Sequence, residues 1–164
     1  MKTLEHQMST YAAYHQDARN KATHFVGVPV IVLSLMIPLA WLRFEGISAA
    51  MVITAVLLAY YLVLDLWLGL AMCIVMGALL WLGQLLADQG TLAGWIWFAV
   101  LFVGGWILQL VGHVFEGRKP ALADNLFQIF VAPIFLCAEL FFALGYKPQL
   151  HTAVQERARQ MRAA

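Results

Sequence analysis

Charge is what this sequence is shortest of. Only 12% of its 164 residues are Asp, Glu, Lys or Arg, while 63% are hydrophobic; a soluble domain carries about twice that share of charge. Between Phe25 and Leu110 only Arg43, Glu45, Asp65 and Asp88 break the apolar runs. That pattern excludes an ordinary water-soluble domain, because each bilayer crossing takes roughly 20 apolar residues and the chain holds several such runs. Cysteine is nearly as scarce. Cys73 and Cys137 lie far apart in apolar segments with no CxxC, so they read as small apolar residues rather than a disulfide or a metal site. No glycine-rich phosphate loop and no serine nucleophile elbow is present. The internal repeats and mid-membrane polar groups of a carrier are not evident either. The first 21 residues lack an apolar core of the signal-peptide kind, so no leader is expected. The net charge of +1 is uninformative about partners, and no nucleic-acid partner is expected.

What is there reads as an all-α, polytopic membrane helical bundle forming a single domain over residues 1–164. Leu4, Met8, Tyr11 and His15 recur at helical spacing and predict an amphipathic helix over 3–16, with His15 closing its buried stripe. "QDARN" interrupts it, and Asn20 is placed to cap the next helix. Spans are predicted over 25–42, 47–64, 67–86 and 92–116. "RFEG" closes the first, Asp65 marks a turn, and Pro29 falls where a kink is tolerable. Gly117 ends the fourth, with Pro120 beyond. Gly105 and Gly112 give that span a slim face for close packing. Residues 124–144 are apolar but contain Pro133 and Glu139. A tail helix over 148–162 sets Leu150, Val154, Ala158 and Met161 against arginines, as on a membrane-surface helix. Charge bias decides the topology. With both termini cytoplasmic, Lys2, Arg19, Lys21, Arg118 and Lys119 lie inside and only Arg43 outside. If 124–144 dips in and returns at Pro133, Lys147, Arg157, Arg159 and Arg162 stay inside as well, so a re-entrant segment is expected.

This arrangement gathers three histidines. His15 and His24 lie nine residues apart, about 900° on one helix and therefore on opposite sides, but a break at Asp17–Asn20 lets them converge. His113 and Glu116 are spaced i, i+3 and share a face at the same membrane depth. Three imidazoles and a carboxylate suit a divalent transition metal, and the negative end of the fourth span favours a cation. The rival is bis-histidine haem, which wants histidines deeper on facing spans; spans two and three contain none. A lone histidine near a membrane interface is more commonly an anchor, and His151 on the tail is expected to be solvated.

The stretches "YHQDARNKATHFVGVP" and "GHVFEGRKPALADNLFQ", the latter followed by Ala132–Pro133 and Glu139, resemble the two motifs of a family of small polytopic membrane proteins. That family includes the enzyme named for metabolism of phytosphingosine to odd-numbered fatty acids. The resemblance covers nearly the whole chain, with Ala18 standing where a proline is often found. It implies an iron(II)-dependent dioxygenase of fatty-acid α-oxidation, with O₂ as co-substrate, that shortens a long-chain 2-hydroxy fatty acid by one carbon. It implies His15, His24 and His113 as metal ligands, and Glu116 as a fourth ligand and catalytic residue or as a partner that supports the ligands. Asn20, Asp124, Asn125 and Gln128 match the motif without a derived role; His6 and His151 fall outside it. Arg118 and Lys119 could attract the substrate carboxylate, although positive-inside anchoring also accounts for them. Membrane lipid is the expected surrounding, in the inner membrane of a bacterium or the endoplasmic reticulum of a eukaryote. The alternative is a non-enzymatic carrier or assembly factor with structural histidines.

Overall fold

The computed structural model describes residues 3–118 and 126–163. Among them are seven α-helices and one short hairpin: α1 (Leu4–Ala12), α2 (Ala18–Trp41), β1 (Arg43–Phe44), β2 (Ile47–Ser48), α3 (Ala49–Leu64), α4 (Leu66–Ala87), α5 (Thr91–Glu116), α6 (Gln128–Ala143) and α7 (Pro148–Ala163). The fold is that of an all-α membrane protein. α2, α4 and α5 are long and apolar enough to cross a bilayer, and large apolar side chains such as Ile74, Val63 and Val100 stand exposed on the helices, as lipid-facing positions require. The chain forms two compact units, one of residues 1–25 with 110–164 and one of residues 26–109.

The second unit is a helical hairpin assembly. α2 runs on through Pro29 and Pro38. The β-hairpin that follows pairs Arg43 with Ser48 and Phe44 with Ile47. Its two-residue loop, Glu45 and Gly46, has φ of 47° and 85°, the conformation that matches strand twist in a tight hairpin. This hairpin consumes Ile47 and Ser48, so the span predicted from 47 begins at Ala49, with Ser48 Oγ accepting from the Met51 amide. α3 then has 16 residues, about 24 Å of helix, shorter than expected. Asp65 is the predicted turn. Its carboxylate accepts from the Trp67 and Leu68 amides and so caps α4. Glycines allow the helices to close: a Cβ on Gly69 would meet the Leu62 backbone at 2.7 Å, and one on Gly83 would meet Met36 at 2.5 Å. Ile37, Ala40 and Ala87 form a buried cluster with Trp41, Leu86, Phe98 and Leu101 around it. Gly105 does provide the slim face, lying against Ile31 and the Gly27 carbonyl.

In the first unit α1 packs against both α6 and α7. Met8, Tyr11 and Ala12 of α1 are buried with Val131, Ile134, Phe135 and Ala138 of α6 and with Val154 and Ala158 of α7. Val154 and Ala158 of the predicted apolar face of the tail therefore meet protein, whereas Met161 on that face is exposed. Glu5 and Arg157 join α1 to α7 at 3.2 Å. Two further expectations are corrected. α6 is one continuous helix through Pro133, so the chain does not turn back there. A proline inside a helix removes one backbone hydrogen bond, and apolar packing of Val131, Ile134 and Phe135 on either side carries the helix across the gap. The predicted residues Asp124 and Asn125, with Lys119 and Pro120, lie outside the described residues. Asn20 does not cap α2. The helix starts two residues earlier, at Ala18, where the Asp17 carboxylate accepts from the Arg19 amide at 2.8 Å.

Candidate metal centre

The residues that end α1 and begin α2 build the site, together with the last turn of α5, all within the first unit. The chain leaves α1 after Ala12 and re-enters helix at Ala18. The break thus spans residues 13–17, slightly before the predicted position, and it swings His15 back over His24. Asp17 holds the start of α2. Its carboxyl is pushed down to about 2, chiefly by the side-chain hydrogen bond from Arg19 and then by the Arg19 amide. At the other end, α5 stops at Glu116, where Gly117 with φ of 67° takes the left-handed conformation that suits glycine after a helix.

The three predicted imidazoles meet. His15, His24 and His113 are all buried, and one ring nitrogen of each lies within 4.8 Å of the others. Ring centroids are 4.5 Å apart for His15–His24, 5.0 Å for His15–His113 and 5.0 Å for His24–His113. Hydrogen bonding assigns the tautomers of two of them. His15 Nδ1 lies 2.8 Å from the Tyr11 carbonyl, and His24 Nδ1 lies 2.9 Å from the Asn20 carbonyl. A carbonyl only accepts, so each Nδ1 carries the proton and each Nε2 carries a lone pair. Those two Nε2 atoms face each other at 3.1 Å. Two lone pairs at that distance repel unless a cation or a proton sits between them. Burial, with the neighbouring His24 adding to it, lowers the His15 pKa well below the ordinary histidine range, which disfavours the proton. His113 Nδ1 is likewise buried without a hydrogen-bond partner among the described residues. Metal-bound histidines characteristically donate their other ring N–H to a backbone carbonyl or carboxylate, as His15 and His24 do. The residues present therefore fit a divalent transition metal. Tyr11 stacks on His15 with centroids 4.0 Å apart and planes within 4°, and Phe135 tilts against both rings.

Glu116 lies beside this group and is fully occupied by hydrogen bonds. Oε2 accepts from the Gln16 amide at 3.0 Å, the Asp17 amide at 2.8 Å and Asn20 Nδ2 at 3.0 Å. Oε1 accepts from the Arg162 guanidinium of α7. The carboxylate thus holds the α1–α2 turn that carries His15. Asn20 is wholly buried and also donates to the Tyr14 carbonyl at 3.3 Å. Gly112 provides the room: a Cβ there would lie 2.5 Å from Asn20 Oδ1 and 3.2 Å from His24 Nδ1. Lys21, one turn before His24, pairs with Glu139 of α6 at 2.8 Å. Gln128, also on α6, is buried with its Oε1 unpartnered among the described residues.

The other candidates fall elsewhere. His6 lies 3.3 Å from Arg157. His151 is not simply solvated; its ring stacks on Phe142 at 4.8 Å. Arg118 is exposed and donates to the Arg162 carbonyl at 2.9 Å. Neither Cys73 nor Cys137 forms a disulfide among the described residues. The pairing of Arg162 escapes a reading of the sequence: it stands 46 residues from Glu116, and no spacing rule links a tail arginine to the end of a span.

Comparison with known proteins agrees with the motifs. The family described as 2-hydroxy-palmitic acid dioxygenase Mpo1-like matches residues 1–144. The chain is 36% identical over 155 residues to 2-hydroxy-palmitic acid dioxygenase MPO1 of the yeast Saccharomyces cerevisiae, an alignment covering 93% of this chain and 87% of the yeast protein. No solved structure matches it. With its three histidines buried in one group and the family match extending over most of its length, the chain belongs to the 2-hydroxy-palmitic acid dioxygenase Mpo1-like family.

Proposed function

We propose that this protein is an iron(II)-dependent dioxygenase that converts a long-chain 2-hydroxy fatty acid to the acid one carbon shorter. The observation that carries the reading is the pair of opposed Nε2 lone pairs of His15 and His24, 3.1 Å apart, with His113 completing the group. These three residues would hold the metal. When bound, iron(II) supplies open positions for O₂ and for the carboxylate and hydroxyl oxygens of a 2-hydroxy acid. A substrate held through both oxygens would keep the bond between its carboxyl carbon and the neighbouring carbon within reach of O₂, a proximity effect.

The protein's own residues set up that chemistry. The Tyr11 and Asn20 carbonyls, by accepting the two Nδ1 protons, fix the histidine tautomers. Glu116, expected as a fourth ligand or as a support, takes the supporting role here, since both its oxygens are engaged by the turn and by Arg162. Tyr11 and Phe135 wall one side and exclude water. The site stands where α2 begins and α5 ends, at the ends of two apolar helices. A fatty acid can keep its carboxylate at that interface and its tail in lipid, which avoids the cost of taking an ionised carboxylate into hydrocarbon. The charge bias puts this face and both termini in the cytoplasm.

Purified protein supplied with iron(II) and O₂ is expected to shorten a 2-hydroxy fatty acid by one carbon and to leave the matching non-hydroxylated acid untouched, since only the former presents two oxygens. Product chain length by mass spectrometry checks it. Equal turnover of both acids overturns the two-oxygen recognition; no turnover of either, with iron bound, favours a non-enzymatic protein with structural histidines.

A further inference from the structure

α7 lies beyond residues 1–144, the stretch that the family description matches, yet its Arg162 pairs with Glu116 beside the histidine group. The Glu116 side chain is fully enclosed, whereas its partner Arg162 is about one-third exposed. The carboxylate sits one helical turn beyond His113 on the same face of α5. Carboxylates bind divalent metals readily, so an enclosed Glu at that position is a natural competitor for a coordination site. Two sets of contacts hold it back. Oε2 is engaged by the Gln16 and Asp17 amides and by Asn20. Oε1 has the Arg162 guanidinium as its partner. Arg162 is itself anchored. Arg118 donates to its carbonyl, and α7 is tied to α1 by Arg157 to Glu5 and to the α1–α2 turn by Gln16 to Gln155 at 3.3 Å.

We propose that Arg162 is a positioning residue: by engaging Oε1 it keeps Glu116 on the α1–α2 turn and out of the metal's coordination, so that the centre stays a three-histidine site with positions free for substrate. This rests on the metal-centre reading above. Arg162 touches neither substrate nor metal and acts through Glu116. Its removal leaves Oε1 without its charged partner, on the face of α5 that also carries His113.

Cobalt(II) tests this, because its visible absorption reports the ligand set without turnover. Wild type, R162M, R162K and R162M/E116Q are loaded with cobalt(II) and compared for stoichiometry and spectrum. All four are expected to bind one ion per chain. The R162M spectrum is expected to differ from wild type; R162K is expected to match wild type; and adding E116Q to R162M is expected to restore the wild-type spectrum, because an amide is a poor competitor. With iron(II), kcat of R162M is expected to fall at least tenfold. An R162M spectrum identical to wild type overturns the proposal. So does a changed spectrum that E116Q fails to restore, which would assign Arg162 a purely structural role. If R162M does not accumulate, R162Q takes its place with the same expectations, and loss of cobalt from the variant used likewise overturns it. Absence of cobalt from the wild type would instead overturn the metal-centre reading itself.

Discussion

At the scale of single residues, the backbone does as much as the side chains. The Tyr11 and Asn20 carbonyls choose the tautomers of His15 and His24, and with the Nδ1 protons committed, the two Nε2 atoms are left in mutual repulsion that a cation relieves. Replacing His15, His24 or His113 singly with Ala is therefore expected to lower bound iron at least tenfold while the protein still inserts. Elemental analysis of anaerobically purified variants checks this, with H6A and H151A as controls that keep full metal. Gly112 is the matching negative requirement. A Cβ there would press on Asn20 Oδ1 at 2.5 Å, and Asn20 is held on its other side by Glu116 and Tyr14. G112A is expected to destabilise by about 1–3 kcal/mol, the usual cost of overpacking, and to lower metal occupancy. Thermal unfolding in detergent and metal content report the two effects separately.

Among the elements, α4 shows how little a membrane helix needs in order to start. Asp65 both ends α3 and offers its carboxylate to the first amides of α4, so two apolar helices reverse on one polar residue. D65A removes that acceptor and is expected to cost about 0.5–2 kcal/mol, while D65N retains most of it. Iron content is expected to stay unchanged in both, since Asp65 belongs to the unit of residues 26–109 and the histidines to the other. Differential scanning of the purified variants checks the ranking. α6 makes a different point. Pro133 interrupts its backbone ladder, but the helix continues, because the buried residues flanking the proline hold both halves against α1.

For the whole molecule, the packing of α1 on α7 constrains topology. Glu5 and Arg157 are paired and Val154 and Ala158 are buried, so the two ends of the chain are expected to share one side of the membrane. The charge bias predicts that this side is the cytoplasm. Cysteines introduced at Thr3 and Arg159 in a Cys73→Ala, Cys137→Ala background are expected to react together with a membrane-impermeant reagent applied from the cytoplasmic face. A cysteine at Glu45 is expected to react only from the opposite face. Labelling of Thr3 and Arg159 from opposite faces would refute the shared side.

The sequence by itself determined the helical membrane class, the glycine stop after Glu116, the turn at Asp65 and the three histidines. Each of these is written in local terms: hydropathy over one helix length, one residue's backbone preference, or one short motif. It misplaced the cap of α2, since Asn20 and Asp17 suit that position equally on local grounds. Only the tertiary structure shows that Asn20 has its amide committed to Glu116, 96 residues away. It likewise invited a reversal at Pro133, because a proline's effect depends on whether neighbouring elements hold the helix together across it. The Arg162–Glu116 pair, the tautomers of His15 and His24, and the burial of α7 against α1 were decided by the fold alone. Each depends on atoms brought together from distant parts of the chain, and no periodicity or spacing along a single segment records such a meeting.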